Sequence, residues 1–264
     1  MKIVGFSRDE RIVRLADHIR RREEQKRANL DFPRGSDEGV IYLLPIPSVK
    51  DSVHITGTDI PIESIIKEAA VGSVFVGYGI PYSSVSLINE RKCLVFDGER
   101  DEIFVDKNAR LTAEGTLGRL MIEGSLALSD MKVGVIGYGR IGSHLCRMLT
   151  AAGADVTIFS SRTREQILRA DSILRAEVLP YSALGKFDLS SQAVLINTAP
   201  AAYLTAEESA SLSGVRVIEL ASGNNIPSQI KYERFAAVPS RMYIDSAAKA
   251  YVEYYERCAA KYNL

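Results

Sequence analysis

Apolar positions along the chain fall into short runs separated by amphipathic stretches, the pattern of strands alternating with helices. Lys2–Phe6 predicts a strand, and Arg8 to about Lys26 a helix with the apolar stripe Ile12, Val13, Leu15, Ala16 and Ile19. The many Arg and Glu residues on its other face read as solvated. A Pro/Gly/Asp loop, Asp31–Gly39, leads to a buried strand, Val40–Leu44. Helix Ile62–Ala70, strand Ser73–Val76, a short helix near Ser83–Asn89 and strand Lys92–Phe96 follow. The polar, charged stretch Asp97–Leu111 breaks the pattern and reads as a linker or cleft-lining loop, and Thr112 as the N-cap of a helix running to about Leu128. Further strands are predicted at Val133–Ile136, Asp155–Phe159, Ala176–Leu179, Ala193–Asn197, Arg216–Leu220 and Arg234–Val238. A last helix, from about Ser246 to Lys261, carries Ala247, Ala250, Tyr251, Tyr254, Tyr255 and Cys258 on one face, which is expected to return to the N-terminal part. The fold class that follows is α/β, with two lobes built on parallel sheets and a cleft between them.

One segment sharpens this picture. The apolar strand Val133–Ile136 runs straight into Gly137-Tyr138-Gly139-Arg140-Ile141-Gly142, and an apolar helix follows. That is the dinucleotide-binding fingerprint in its strand–turn–helix context, with a second strand at the βαβ distance. Gly137 would allow the tight turn, Gly139 the approach of a pyrophosphate, and Gly142 close packing of helix on strand. The helix N-terminus would offer N–H groups to phosphate. Both lobes are therefore expected to be Rossmann-like, with boundaries at residues 1–111 for a substrate or partner domain, completed by helix 242–264, and 112–241 for the dinucleotide-binding domain.

The second strand of such a domain normally ends in an acid that bonds the adenosine ribose. Here that position is Ser160, followed by Ser161 and Arg162, with Arg164 close by. Hydroxyls and guanidinium groups suit a 2′-phosphate, so NADP is favoured and NAD remains open. Two more strand ends are expected near the nicotinamide and its ribose: Asn197-Thr198-Ala199-Pro200 and Glu219-Leu220-Ala221-Ser222-Gly223. The cofactor candidates are thus Gly137, Tyr138, Gly139, Arg140, Ile141, Gly142, Ser160, Ser161, Arg162, Asn197, Thr198, Pro200, Ala221 and Ser222.

Composition narrows the alternatives. With 264 residues, 46% of them hydrophobic, and a net charge of zero, the chain has enough apolar mass for real cores and no charge excess for a nucleic acid. No apolar run approaches a membrane span, and the first residues lack a signal-peptide apolar region, so a cytoplasmic protein is expected. Cys93, Cys146 and Cys258 are scattered and suit neither a disulfide framework nor a zinc site, and no metal is expected. Only three histidines occur, His18, His54 and His144. A 2-hydroxy-acid dehydrogenase would need an acid–base histidine further along, so that class is disfavoured.

The segments Gly98–Met121 (GERDEIFVDKNARLTAEGTLGRLM), Lys132–Gly142, Ile196–Pro200 and Ile218–Ser222 together resemble the A-subunit family of bacterial dipicolinate synthases. The Asn108…Thr112-Ala113-Glu114-Gly115 segment is the specific part of that resemblance, and the glycine motif is shared with many dehydrogenases. The chain is short between Arg27 and Val40 relative to the family, and reads Asp245-Ser246-Ala247-Ala248 where the family has Pro-Lys-Thr-Ala, with Lys249 next. The resemblance implies oxidation of a dihydrodipicolinate-type intermediate to dipicolinate during sporulation, and a flavoprotein-like second subunit. Two substrate carboxylates would need cations or N–H donors, for which Arg110, the helix start at Thr112–Gly115 and Arg8 are candidates. Asn108 would orient substrate. Glu114 would be either the base or a capping acid in the helix's first turn, the latter weighted more heavily. The catalytic candidates are Asn108, Arg110, Thr112 and Glu114. Two other readings stay open: an NADP-binding regulatory or scaffold subunit without catalysis of its own, and a different small-acid dehydrogenase. A homo-oligomer also remains open.

Overall fold

The computed structural model describes residues 2–28, 39–262 and 264, so the expected loop Asp31–Gly39 lies, apart from Gly39, outside the described residues. In chain order the first elements are β1 (Lys2–Gly5), α1 (Glu10–Ala28), β2 (Val40–Leu43), α2 (Ile62–Glu68), β3 (Val74–Gly77), α3 (Tyr82–Glu90), β4 (Leu94–Asp97) and α4 (Glu102–Glu123). Then come β5 (Lys132–Ile136), α5 (Arg140–Ala151), β6 (Asp155–Phe159), α6 (Arg164–Ala170), β7 (Glu177–Leu179), β8 (Val194–Asn197) and β9 (Arg216–Glu219). The last elements are β10 (Glu233–Arg234), α7 (Val238–Met242) and α8 (Ile244–Lys261). The chain divides into two compact units, Met1–Asn108 with Tyr243–Leu264, and Ala109–Met242.

The first unit holds a four-stranded parallel sheet in the order β1-β2-β3-β4. β3 is buried at every position, as a parallel strand covered on both faces should be. One face packs Ile12, Leu15 and Ile19 of α1 with Phe104, Tyr251 and Tyr254. The other packs Ile62, Ile66 and Ile88. α8 lies along α1, where His18 Nε2 is 2.7 Å from Glu256 Oε1. Its apolar stripe is thereby removed from water, which accounts for most of the stabilisation such a helix can supply.

The second unit holds a six-stranded parallel sheet in the order β10-β9-β8-β5-β6-β7. Counted from β5, this is the 3-2-1-4-5-6 order of the Rossmann fold, with the order reversing between β5 and β8. Val133, Val135, Leu145, Leu149, Val156 and Ile158 form one core layer. Ile136, Phe159, Leu195 and Val217 form the other.

Three expectations are corrected. The stretch Asp97–Leu111 is not a linker: Asp97 ends β4, Gly98–Arg100 make one 3-10 turn, and α4 starts at Glu102. The cap is Asp101, whose Oδ1 accepts the Phe104 N–H at 2.7 Å, so Thr112 is a buried residue of the helix interior and Glu114 is not in a first turn. α4 lacks a clear apolar stripe, which is why its polar first half reads as loop. The strand expected at Arg234–Val238 stops at Arg234; Ala237 takes φ 55° and Val238 opens α7, whose first turn accommodates Pro239. Finally, α6 has no counterpart among the predicted elements, although Thr163 and Gln166 form a capping box that marks its start.

Candidate active site

The site is built at the carboxyl ends of β5, β6, β8 and β9, where an open α/β sheet with a strand-order reversal receives ligands. Each glycine of the turn after β5 is there for a different reason. Gly137 has φ 98°, in the left-handed region. A Cβ on Gly142 would stand 2.2 Å from the Gly137 carbonyl oxygen, so helix and turn could not approach as they do. A Cβ on Gly139 would meet nothing within 4 Å, so the space above it is open. α5 begins immediately after Gly139 with no side-chain cap and no acid in its first turn. The N–H groups of Arg140, Ile141 and Gly142 belong to that first turn, and this set of donors fits a pyrophosphate. The residues present therefore match a dinucleotide.

Tyr138 contributes through its main chain. Its ring is buried, and burial, followed by the negative charge of Asp171, pushes its hydroxyl up to about 12. Asp171, buried at the end of α6, is ion-paired with Arg147.

After β6, the Ser160 hydroxyl is buried and accepts the Arg162 N–H at 3.0 Å. Its own proton stays available to a ligand. Ser161, Arg162 and Arg164 are exposed, and no carboxylate takes the ribose position.

The ends of β8 and β9 are cross-linked. Asn197 Nδ2 donates to Glu219 Oε1 at 3.1 Å and to the Ala199 carbonyl at 3.1 Å, and its Oδ1 accepts the Ala199 N–H at 3.1 Å. Glu219 Oε1 also accepts the Ala221 N–H at 2.9 Å. The Thr198 hydroxyl donates to the Ile136 and Gly137 carbonyls at 3.0 and 3.2 Å, fastening this edge to the glycine turn. Pro200 and Ser222 are exposed and Ala221 is buried. Sequence reasoning places Glu219 only within a strand-end motif; the signal that singles it out is a carboxylate inside the apolar run Val217–Ala221. Desolvation raises its pKa, and the bonds from Asn197 and Ala221 oppose that rise.

The four catalytic candidates are spread along α4. Asn108 is half-buried and belongs to the first unit. Arg110, Thr112 and Glu114 belong to the second, where Arg110 Nε donates to Glu114 Oε1 at 2.9 Å and the Thr112 carbonyl accepts the Thr116 hydroxyl. Arg8 is exposed. His54 Nδ1 is 2.7 Å from Asp51 Oδ2 in the stretch between β2 and α2, and His144 lies on α5. Among the described residues, no group of three or more His, Cys, Asp or Glu is placed to hold a metal ion, and no helix is long and apolar enough to cross a membrane.

The family comparison falls on this unit. Residues 107–180 match the model of the D-isomer specific 2-hydroxyacid dehydrogenase, NAD binding domain. The fold of the chain is that of the A-subunit of dipicolinate synthase. The protein from Bacillus halodurans superposes with a TM-score of 0.69 at 23% identity, over 83% of this chain and 79% of that one. Its Bacillus subtilis counterpart gives 0.70 at 17% identity, over 98% and 94%. D-lactate dehydrogenase from Escherichia coli gives 0.59 at 14% identity, over 100% and 97%. A search of curated proteins returned no match. These likenesses show a dehydrogenase fold, with residues 107–180 similar to an NAD-binding domain.

Proposed function

We propose that the chain is an NADP-dependent oxidoreductase of the kind seen in the dipicolinate synthase A-subunits, oxidising a dihydrodipicolinate-type intermediate to dipicolinate in the cytoplasm of a sporulating cell. The observation that carries the reading is the open, uncapped start of α5 above Gly139, next to a β6 end that presents Ser160, Ser161 and Arg162 in place of an acid. The likeness to two dipicolinate synthase structures over most of the chain supports the substrate class.

When bound, a nicotinamide supplies the hydride acceptor. The chain's own residues do the rest. The first-turn N–H groups of α5 hold the pyrophosphate, and Arg162 with the Ser160 hydroxyl grips the 2′-phosphate. Asn197, Thr198, Pro200, Ala221 and Ser222 shape the ribose and nicotinamide end. Arg110 meets a substrate carboxylate, and Asn108 orients the substrate by hydrogen bonds. Aromatisation supplies driving force, so positioning is the main demand on the protein. Glu114 takes the proton once Arg110 turns from it to substrate.

A second reading is favoured by one observation. The described histidines lie elsewhere than the ends of β5, β6, β8 and β9, and Glu114 of α4 is already paired with Arg110. In that reading the chain binds NADP and a flavoprotein-like partner holds the chemistry. The two are separated by assaying dihydrodipicolinate oxidation with the purified chain alone and again with its partner. Turnover by the chain alone supports the first reading; turnover only with both supports the second. Product analysis showing no dipicolinate in either assay refutes the substrate class. For the cofactor, Arg162→Ala should weaken NADP about ten- to a hundredfold and leave NAD unchanged. Equal weakening of both would refute the 2′-phosphate assignment.

A further inference from the structure

Glu219 is fully buried at the edge where the cofactor reading places the nicotinamide ribose, and the bonds it accepts form a continuous path to the glycine turn. The path starts at the Ala221 N–H, passes through the Glu219 carboxylate to the Asn197 amide, and from there to both backbone groups of Ala199. Next along the chain, Thr198 bonds the carbonyls of Ile136 and Gly137. Ala199 is also packed on that turn: its N and Cβ would stand 3.1 Å from a Cβ on Gly137. One carboxylate thus cross-links the ends of β8 and β9, and Thr198, next to Asn197, ties that edge to the end of β5.

We propose that Glu219 is the positioning residue of the cofactor site, and that its ionised carboxylate holds the β8 and β9 ends in the shape that receives the dinucleotide. This rests on the cofactor reading above. The donors that meet the carboxylate, Asn197 Nδ2, the Ala221 N–H and the Asn225 side chain, bond only to an oxygen with a free lone pair. Asn197 Nδ2 bonds both oxygens, at 3.1 and 3.3 Å, so a proton on either one faces that donor, and the clamp loosens. The groups facing Glu219 from neighbouring elements are Asn197 of β8, Arg234 of β10 and Asn225 of the following loop. Of these residue types only the carboxyl gains or loses a proton near neutral pH, so a pH effect transmitted along this path belongs to Glu219. Because burial raises its pKa, the proton arrives at a pH above the usual carboxylate range.

The test is to titrate NAD and NADP separately into the full chain, wild type and Glu219→Gln, at pH steps from about 8 to about 5. Thermal melts are run alongside to confirm that each sample is folded. The wild-type dissociation constant for both dinucleotides should rise about three- to tenfold toward acid, the worth of one lost hydrogen bond. Glu219→Gln should bind weakly throughout and lose the pH dependence. If the variant does not fold, the wild-type series decides alone, and a midpoint within or below the ordinary carboxylate range overturns the proposal. So does a flat wild-type series, a variant with the wild-type slope, or a step seen with NADP only, which would belong to its 2′-phosphate. Flat but measurable binding refutes Glu219 and spares the cofactor reading, whereas no binding of either dinucleotide at any pH refutes both.

Discussion

Each unit ends two neighbouring parallel strands around a buried carboxylate, and the two are held differently. Asp97, at the end of β4, accepts three backbone N–H groups, from Gly79, Ile80 and Glu99, at 2.9 to 3.2 Å. Beside it the Ser48 hydroxyl accepts the Tyr78 N–H at 2.7 Å, and a Cβ on Gly77 would stand 2.3 Å from that hydroxyl. The edge is stitched shut by main chain. Glu219 accepts one backbone N–H and the side-chain amides of Asn197 and Asn225, and the neighbouring turn leaves open space above Gly139. Strand order accounts for the difference. The first sheet runs β1 to β4 without reversal. The second reverses between β5 and β8, so successive crossovers part there and leave a crevice.

Substitutions at the glycines break the comparison most sharply. Gly142→Ala and Gly77→Ala both place a Cβ into occupied space and should each cost about 2–3 kcal/mol of stability, read by thermal or denaturant melts. Only Gly142→Ala should also abolish dinucleotide binding. Loss of binding in both would mean that the first sheet's edge takes part in the cofactor site. Next, Asp97→Ala leaves buried N–H groups without an acceptor and should destabilise by about 3 kcal/mol with an unchanged cofactor dissociation constant.

Gly139→Ala sharpens the contrast from the other side. Its φ of −85° is acceptable to alanine and the added methyl meets no atom, so stability should move by less than about 1 kcal/mol. Dinucleotide affinity should nevertheless fall by about tenfold or more, because the methyl takes the phosphate's place. A variant that binds normally would show that phosphate does not approach there.

The smallest effect concerns acid. Bonds to Arg216 hold Glu233 below its ordinary pKa, and bonds to Arg119 and Arg216 do the same for Glu123. Their contribution is present above the unfolded carboxylate value and is lost as pH falls through the lowered folded values. Glu219 runs the other way: its raised folded value means that its contribution is lost as pH rises through it. Arg216→Ala should therefore flatten the acid side of the melting-temperature profile slightly, and an unaltered acid limb would show these surface pairs to be inert.

The α/β class and most elements were legible because parallel strands buried on both faces announce themselves as apolar runs; β6, Asp155–Phe159, falls at the predicted residues. The glycine turn was legible because Gly137 and Gly142 each answer a steric demand that no other residue meets. α4 was not, because a helix packed on several sides loses the 3.6-residue stripe, and its true cap, Asp101, sits in a charged stretch that resembles a loop. The role of Glu219 was hidden for a different reason. Its partners Asn197 and Ala221 come from two strand ends, and only the β8–β9 register, with Asn197 opposite Glu219, brings the amide to the carboxylate.

The turn after β6 has a consequence for how such a protein changes over generations. The Ser160 hydroxyl accepts the N–H two residues on, a bond that an aspartate makes equally well with the same backbone. The turn's own hydrogen bond is therefore indifferent to which of the two residues stands there, while a 2′-phosphate is not. Under the proposed cofactor reading, exchange between two cofactor pools turns on this one position, and the metabolic supply of the cell is weighed there against the cost of burying an acid.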